Sequence, residues 1–192
     1  MSELTRRGFA QAFAGAVCCA AQAQSAEPWA GESIVDCHHH MRASADASIA
    51  HMDGCKISNS LFLTRDNAAE RVKAARTQYP GRFLGWFAAT DITKPGAEEA
   101  LTAAIKSGAS GFGELKFHVE AAGPELRRMY ALAGELGVPI LIHFQEVPHT
   151  PTEGVFATGF KNFEAMLKAY PKTKFIGHAD AFWANISADY AN

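Results

Sequence analysis

Short apolar runs alternate with helical patterns along most of the chain. The runs are rich in Ile, Val, Leu and Phe, which is typical of parallel strands that are covered on both faces. This regular alternation predicts about six βα units around a parallel sheet. The predicted strands are Ile34–His40, Ile57–Thr64, Phe83–Ala88, Gly111–His118, Pro139–Phe144 and Lys174–His178.

The helical patterns place apolar residues on one face, as expected for helices that pack against a sheet. We assign these faces no functional role. The clearest stripes are Leu101, Ala104 and Ile105 in the segment Glu98–Lys106, then Leu126, Met129, Tyr130 and Ala133 before a capping Gly137, and Phe163, Met166, Leu167 and Tyr170.

The longest predicted connection runs from Gln145 to Gly159, after the fifth strand. Pro148, Pro151 and Gly154 exclude regular structure along most of it. Loops that follow parallel strands form the functional face of barrels and doubly wound sheets. We therefore predict an active-site loop here.

The N-terminal residues resemble a twin-arginine export signal. Arg6 and Arg7 precede an apolar, alanine-rich run that is too short to span a bilayer, and small residues up to Ala26 offer a cleavage site. We predict a signal over residues 1–26, one domain over residues 27–192, and a periplasmic protein without a stable membrane anchor. A frayed amphipathic helix is the alternative interpretation of this segment.

Charge and cysteine content narrow the classes of partner. The chain has 18 Lys and Arg against 20 Asp and Glu and shows no basic stripe, so we predict a small-molecule substrate and no nucleic acid. These features neither predict nor exclude a homo-oligomer. Cys37 and Cys55 follow the predicted signal, and we interpret both as buried, small apolar residues.

The first strand ends in a run of three histidines, His38-His39-His40. Side chains of a strand alternate between its faces, so His38 and His40 share one face with Asp36. His39 points the other way, and we interpret it as a packing or hydrogen-bonded residue.

Histidines also end the fifth and sixth predicted strands, at His143 and His178. Core packing does not require this repeated placement, whereas a divalent transition metal requires several imidazole groups that converge. We predict a metal site formed by His38, His40, His143 and His178, in which His178 is either a ligand or a proton shuttle.

The fourth predicted strand places Glu114, Lys116 and His118 on one alternating face. One interpretation is a Glu–Lys salt bridge that fills the mouth of the barrel. The other is a catalytic role, in which Lys116 or Glu114 faces the metal as a ligand, a substrate clamp or a proton acceptor.

From Ile34 onward, these residues resemble the amidohydrolase superfamily, specifically its amidohydrolase-related branch, which includes metal-dependent decarboxylases. The segment Asp36–His40 is similar to the Asp-x-His-x-His signature of the first strand, and the segment Gly113–His118 to the fourth strand. His143 is similar to the ligand of the fifth strand and His178 to the histidine of the sixth. The resemblance implies a TIM-type (β/α)₈ barrel that binds a divalent metal, with zinc as the leading candidate.

The function implied by the resemblance is metal-dependent hydrolysis of a small carbonyl compound, an amide, ester or lactone, by a metal-activated water. His178 would bond the substrate or transfer a proton, and Lys116 or His118 would steady an anionic group. The alternatives are non-oxidative decarboxylation of a small carboxylic acid and an inactive fragment.

The family usually takes a last metal-binding aspartate from its eighth strand. Asp180 and Asp189 are the late acidic residues here, and neither ends a seventh or eighth strand. We expect either a longer enzyme of which this is an incomplete version or a site completed by another subunit. The first is favoured, because an open barrel exposes sheet edges.

Overall fold

The computed structural model describes residues 32–65, 68–150 and 158–187. The predicted export signal and Asp189 lie outside these residues. The described strands are β1 (Ile34–His40), β2 (Ile57–Arg65), β3 (Phe83–Ala89), β4 (Gly111–Leu115), β5 (Val119–Glu120), β6 (Pro139–His143), β7 (Thr158–Gly159) and β8 (Lys174–His178). The helices are α1 (Ala45–Gly54), α2 (Ala69–Gln78), α3 (Ala97–Lys106), α4 (Pro124–Leu136), α5 (Phe163–Ala169) and α6 (Asp180–Ser187).

Six of these strands form one parallel sheet in the order β1-β2-β3-β4-β6-β8. Helices alternate with the strands, so the predicted fold class is confirmed as a partial TIM-type barrel. The strands β1 and β8 form the edges of the described sheet, and each pairs with one neighbouring strand. A second, two-stranded parallel sheet pairs β5 with β7.

The main core lies between the sheet and the helices. It joins strand residues such as Phe62, Phe112 and Ile140 to helix residues such as Leu126 and Met129, all fully buried. A smaller apolar cluster contains strand residues alone, Leu63, Phe87 and Leu141 with Leu61, and therefore lines the concave face. Among the described helices, none combines the length and apolarity that a membrane span requires.

Five of the predicted strands match the structure within one residue at each end. The predicted fourth strand is wrong in its length: β4 ends at Leu115, so Lys116 and His118 lie in the connection that follows it. The last two residues of the predicted loop after the fifth strand, Thr158 and Gly159, form a strand that pairs with Val119 and Glu120. Residues 151–157 of that loop lie outside the described residues.

Two burial predictions are wrong as well. Cys37 and Cys55 are exposed, because Cys37 lies on the edge strand β1 and Cys55 caps the end of α1. Leu167 is 41% exposed on α5, although Phe163 and Met166 of the same stripe are buried. The α4 stripe is confirmed, and Gly137 caps α4 with a left-handed φ of 69°.

Candidate metal centre

Four strands of the large sheet deliver ionisable side chains to the same end of the partial barrel. His40, His143 and His178 are the last residues of β1, β6 and β8. His143 and His178 are also partners in the parallel register between their strands. Because parallel strands end at one edge of a sheet, these side chains meet above its carboxyl ends.

The Glu114 carboxylate, on β4, lies at the centre of this group. Its Oε1 is 3.7 Å from Nε2 of His38 and 3.6 Å from Nε2 of His178. Its Oε2 is 3.3 Å from Nε2 of His40, and its Oε1 also hydrogen-bonds Nδ1 of His143. We call these five residues the histidine cluster.

The imidazole rings of the cluster also pack on one another. The ring centroids of His38 and His178 are 3.9 Å apart, and those of His143 and His178 are 5.2 Å apart. Burial decreases outward, from Glu114 at 7% side-chain exposure to His40 at 61%. The cluster is therefore closed at its base and open to solvent at His40.

Gly113 sets the position of Glu114. Its φ of 137° is one that L side chains rarely adopt, and a Cβ atom there would lie 2.8 Å from both the backbone oxygen and the Cβ of Leu141 on β6. A glycine is thus needed at this close approach of β4 to β6, one residue before the carboxylate.

Hydrogen bonds from the histidines hold Glu114 ionised. Burial raises the pKa of Glu114, but hydrogen bonds from His143 and His40 outweigh burial and hold that pKa well below its usual range. Burial and the charge of His38 lower the pKa of His178 to about 4, and burial also lowers that of His38. At neutral pH, Glu114 is therefore an anion, and the His38 and His178 rings beside it are neutral.

Gln145, which sequence reasoning did not single out, orients one of the histidines. Its side-chain oxygen lies 3.1 Å from Nε2 of His143, and Gln145 is 1% exposed. Since Glu114 contacts the other ring nitrogen, His143 is held from both sides. The spacing of two residues from His143 is the signal that would have identified Gln145.

His39 points away from the cluster, as predicted. Its ring is buried against Phe62, and neither ring nitrogen has a hydrogen-bond partner within the described part of the chain. Asp36 does not join the cluster: its Oδ1 accepts from the His38 backbone N–H at 2.9 Å, and its Oδ2 is 3.5 Å from His39. A register shift between Asp36 and His39 interrupts the simple alternation.

Lys116 and His118 lie beside the cluster rather than in it. Among the described residues, the ion pairs of Glu114 are to histidines and not to Lys116, so the predicted Glu–Lys salt bridge is wrong. The strand β4 ends before Lys116. Lys116 and His118 therefore line a neighbouring pocket, which Arg65 also lines. Arg65 carried no sequence motif that would have identified it.

A second histidine–carboxylate pair lies beside the cluster, and both of its side chains are exposed. Nε2 of His149, in the connection after β6, lies 3.2 Å from Oδ1 of Asp180 at the start of α6. The ring centroids of His149 and His143 are 6.3 Å apart. Asp180, one of the two late acidic residues, therefore pairs with a loop histidine.

The donor set of the cluster fits a divalent metal ion. Ligand atoms of His38, Glu114 and His178 all lie within 4.8 Å of one another. Nitrogen and oxygen donors that share one zinc ion at about 2.1 Å stand roughly 3–4 Å apart. The distances from Glu114 to His38, His40 and His178, 3.3 to 3.7 Å, lie in this range.

A comparison with protein-family profiles identifies the family of this chain. A profile of the amidohydrolase family matches residues 35–179, so the chain belongs to that family, and its membership supports an enzyme of the hydrolase type. A comparison with curated proteins gives no match.

Among solved structures, the chain is similar to a crystal structure of a probable 2-pyrone-4,6-dicarboxylic acid hydrolase from Acinetobacter baumannii with citric acid bound. The sequence identity is 15% and the TM-score is 0.41. The alignment covers 58% of this chain and 49% of the other, so the chain spans about half the length of that protein.

Proposed function

We propose that this chain is a metal-dependent hydrolase that acts on a small carbonyl compound, such as an amide, ester or lactone, through an activated water molecule. The observation that carries the proposal is the convergence of four histidines on the buried Glu114 carboxylate. Zinc is the proposed ion, because imidazole and carboxylate groups are among its usual ligands. The family membership supports the same reaction class.

The residues of the cluster take distinct proposed roles. His38 and His40 would hold the ion through ring nitrogens, and Glu114 would supply an anionic oxygen. His143 would join them through Nδ1, which now contacts Glu114, because its Nε2 faces Gln145. When bound, a divalent ion supplies Lewis acidity that polarises a carbonyl and promotes the ionisation of water. Gln145 keeps the ring of His143 in a fixed orientation.

His178 is proposed as a further ligand or as the group that moves a proton. Its pKa of about 4 leaves the ring neutral at neutral pH, so a ring nitrogen can accept a proton from water or from the substrate. Lys116 and His118 face the neighbouring pocket and are proposed to contact the substrate.

The predicted export signal adds a proposed location, the periplasm. Twin-arginine export suits proteins that fold around a cofactor before they cross the membrane, which agrees with a metal site. The signal over residues 1–26 and the site are independent features of the sequence.

Labelled water distinguishes the reaction classes. The zinc-loaded chain is incubated in heavy-oxygen water with a panel of lactones, esters, amides and small carboxylic acids, and the products are analysed by mass spectrometry. The proposal predicts one heavy oxygen atom in the carboxylate of a cleaved product, strongly reduced in Glu114→Gln and unchanged in Glu164→Gln, whose side chain is exposed on α5. Two results would contradict the proposal. One is release of carbon dioxide with no heavy oxygen in the remaining organic product, and the other is no turnover by the folded, zinc-loaded chain.

A further inference from the structure

A cavity of about 500 Å³ lies between the convex face of the sheet and the helices α2 and α3. Its floor is formed by Thr64 of β2 and by Trp86 and Ala88 of β3. Thr64 and Ala88 are partners in the parallel register of these strands. The walls include Ala69 of α2 and Ala104 of α3. A cavity of this volume suits a small ligand.

The cavity is separate from the histidine cluster. Phe87 lies between Trp86 and Ala88 along β3 and belongs to the apolar cluster of the concave face. Because side chains alternate along a strand, Trp86 and Ala88 face the opposite side, where they join the core between the sheet and the helices. None of the described residues that line the cavity belongs to the histidine cluster. A ligand in the cavity would therefore not occupy the proposed reaction centre.

The alanines of the lining offer only methyl groups to the cavity and leave its space open. The hydroxyl of Thr64, which is buried, already donates to the backbone oxygen of Phe87 at 3.0 Å. Thr90 and Ser107 carry the other hydroxyl groups of the described lining, and both residues are less buried. The deeply buried part of the lining therefore presents methyl groups and the Trp86 ring.

Trp86 brings an unused hydrogen-bond donor to this cavity. The residue is 4% exposed, and its indole N–H has no hydrogen-bond partner among the described residues. In the described part of the chain, the unpaired side-chain nitrogens without any access to solvent are those of His39. The indole nitrogen of Trp86 can therefore be reached from the cavity. A buried tryptophan usually donates to a partner, so an acceptor placed in the cavity would satisfy this N–H.

We infer that the cavity binds a small molecule that has an apolar ring and one hydrogen-bond acceptor, such as an aromatic ketone. The ring of the ligand packs on the alanine methyl groups, and its oxygen accepts from the indole N–H of Trp86. Pockets for small molecules commonly combine an apolar lining with a few polar groups that fix the orientation of the ligand. The site is independent of the proposed function, because it uses no residue of the histidine cluster.

Nuclear magnetic resonance of the purified, nitrogen-15-labelled chain tests the inference with acetophenone as the probe. The chain has three tryptophans, so it gives three indole N–H signals, and Trp86→Phe identifies the signal of Trp86. Added acetophenone should move that signal downfield to saturation, and the signal of Trp183, which is 60% exposed on α6, should stay in place. Ethylbenzene has the same ring without the oxygen and should bind about fivefold more weakly.

Cavity-filling variants provide the matched comparison. Ala104→Leu should abolish the saturable shift, because the larger side chain occupies the space of the ligand. Ala100→Leu, also in the lining, takes its place if Ala104→Leu fails to fold. Ala50→Leu makes the same change at an exposed alanine of α1 outside the cavity, and it should bind acetophenone as the parent does.

Three results would overturn the inference. The first is a Trp86 signal that does not approach saturation up to the solubility limit of acetophenone, which would mean that the cavity holds only water. The second is equal affinity for acetophenone and ethylbenzene, which would mean that the indole N–H does not select an acceptor. The third is undiminished binding of acetophenone by the folded cavity-filling variants.

Discussion

His38 and His178 lie on opposite edge strands of the six-stranded sheet, yet the centroids of their rings are 3.9 Å apart. Adjacent strands are spaced by about 4.8 Å, so a flat sheet would separate β1 from β8 by roughly 24 Å. The rings meet because the sheet curls toward its concave face. Curvature of the partial barrel therefore assembles the histidine cluster from residues far apart in the sequence.

Replacing the central carboxylate should weaken metal binding while the fold is retained. Glu114→Gln keeps the shape of the side chain but removes the anionic charge that faces four histidines. We expect zinc affinity to fall by at least about 100-fold, measured by competition with a chromophoric chelator. Glu164→Gln should retain the parent affinity. Equal affinity of Glu114→Gln and the parent would show that Glu114 is not a ligand.

Of the three adjacent histidines of β1, His39 should not be needed for metal binding, unlike His38 and His40. His39 is 3% exposed and its ring nitrogens lack hydrogen-bond partners among the described residues, so His39→Leu removes a buried polar group that stabilises nothing by hydrogen bonding. We expect unchanged metal content and a free energy of unfolding within about 1 kcal/mol of the parent. Loss of metal from His39→Leu, measured by elemental analysis of the folded variant, would contradict the assigned orientation.

Gly113→Ala should damage both stability and the site. The new Cβ meets the Leu141 backbone at 2.8 Å, and φ at this position is 137°. We expect a cost of about 1–3 kcal/mol in the free energy of unfolding, measured by urea denaturation, with weaker zinc binding because Glu114 is displaced. Gly54→Ala is the control, because among the described residues no atom beyond its chain neighbours and its own helix backbone lies within 4 Å of the added Cβ. A cost no greater than that of the control would refute the role of Gly113.

The chain stripped of metal should lose stability as the pH falls from 6.5 toward 4. Burial and the charge of His38 lower the pKa of His178 from 6.5 to about 4, while Glu114 stays ionised through this window. The unfolded chain therefore binds more protons than the folded chain there, and the free energy of unfolding decreases with decreasing pH.

Thermal denaturation across this pH range measures the effect. His178→Gln should flatten the dependence of Tm on pH, whereas His51→Gln, in the last turn of α1, should leave the slope unchanged. The same slope in His178→Gln and the parent would mean that protonation of His178 is not linked to folding.

The sequence alone predicts the convergence of His38, His40, His143 and His178, because each histidine lies at the end of an apolar run and parallel strands end together. The central position of Glu114 could not be predicted in the same way. It depends on the close approach of β4 to β6 at Gly113 and on the end of β4 at Leu115, which local periodicity does not reveal.

The hydrophobic pattern of the sequence also could not identify functional residues that lie in connections or at strand ends. Arg65 and Lys116 line one pocket because β2 and β4 end at the same face of the barrel. His149 contacts Asp180 from a loop without a regular pattern. The exposure of Cys37 follows from its place on an edge strand, which becomes evident once the strand order is known.

Metal content is the most direct test of the account. Elemental analysis of the purified chain is compared with the His38→Ala, His40→Ala double variant and with His51→Ala as a control, each checked for folding by circular dichroism. The account predicts zinc or a similar divalent ion in roughly stoichiometric amount in the parent and the control, and its loss from the folded double variant. A folded parent without metal after zinc loading, or a double variant with undiminished metal, would contradict the central claim that these histidines form a metal centre.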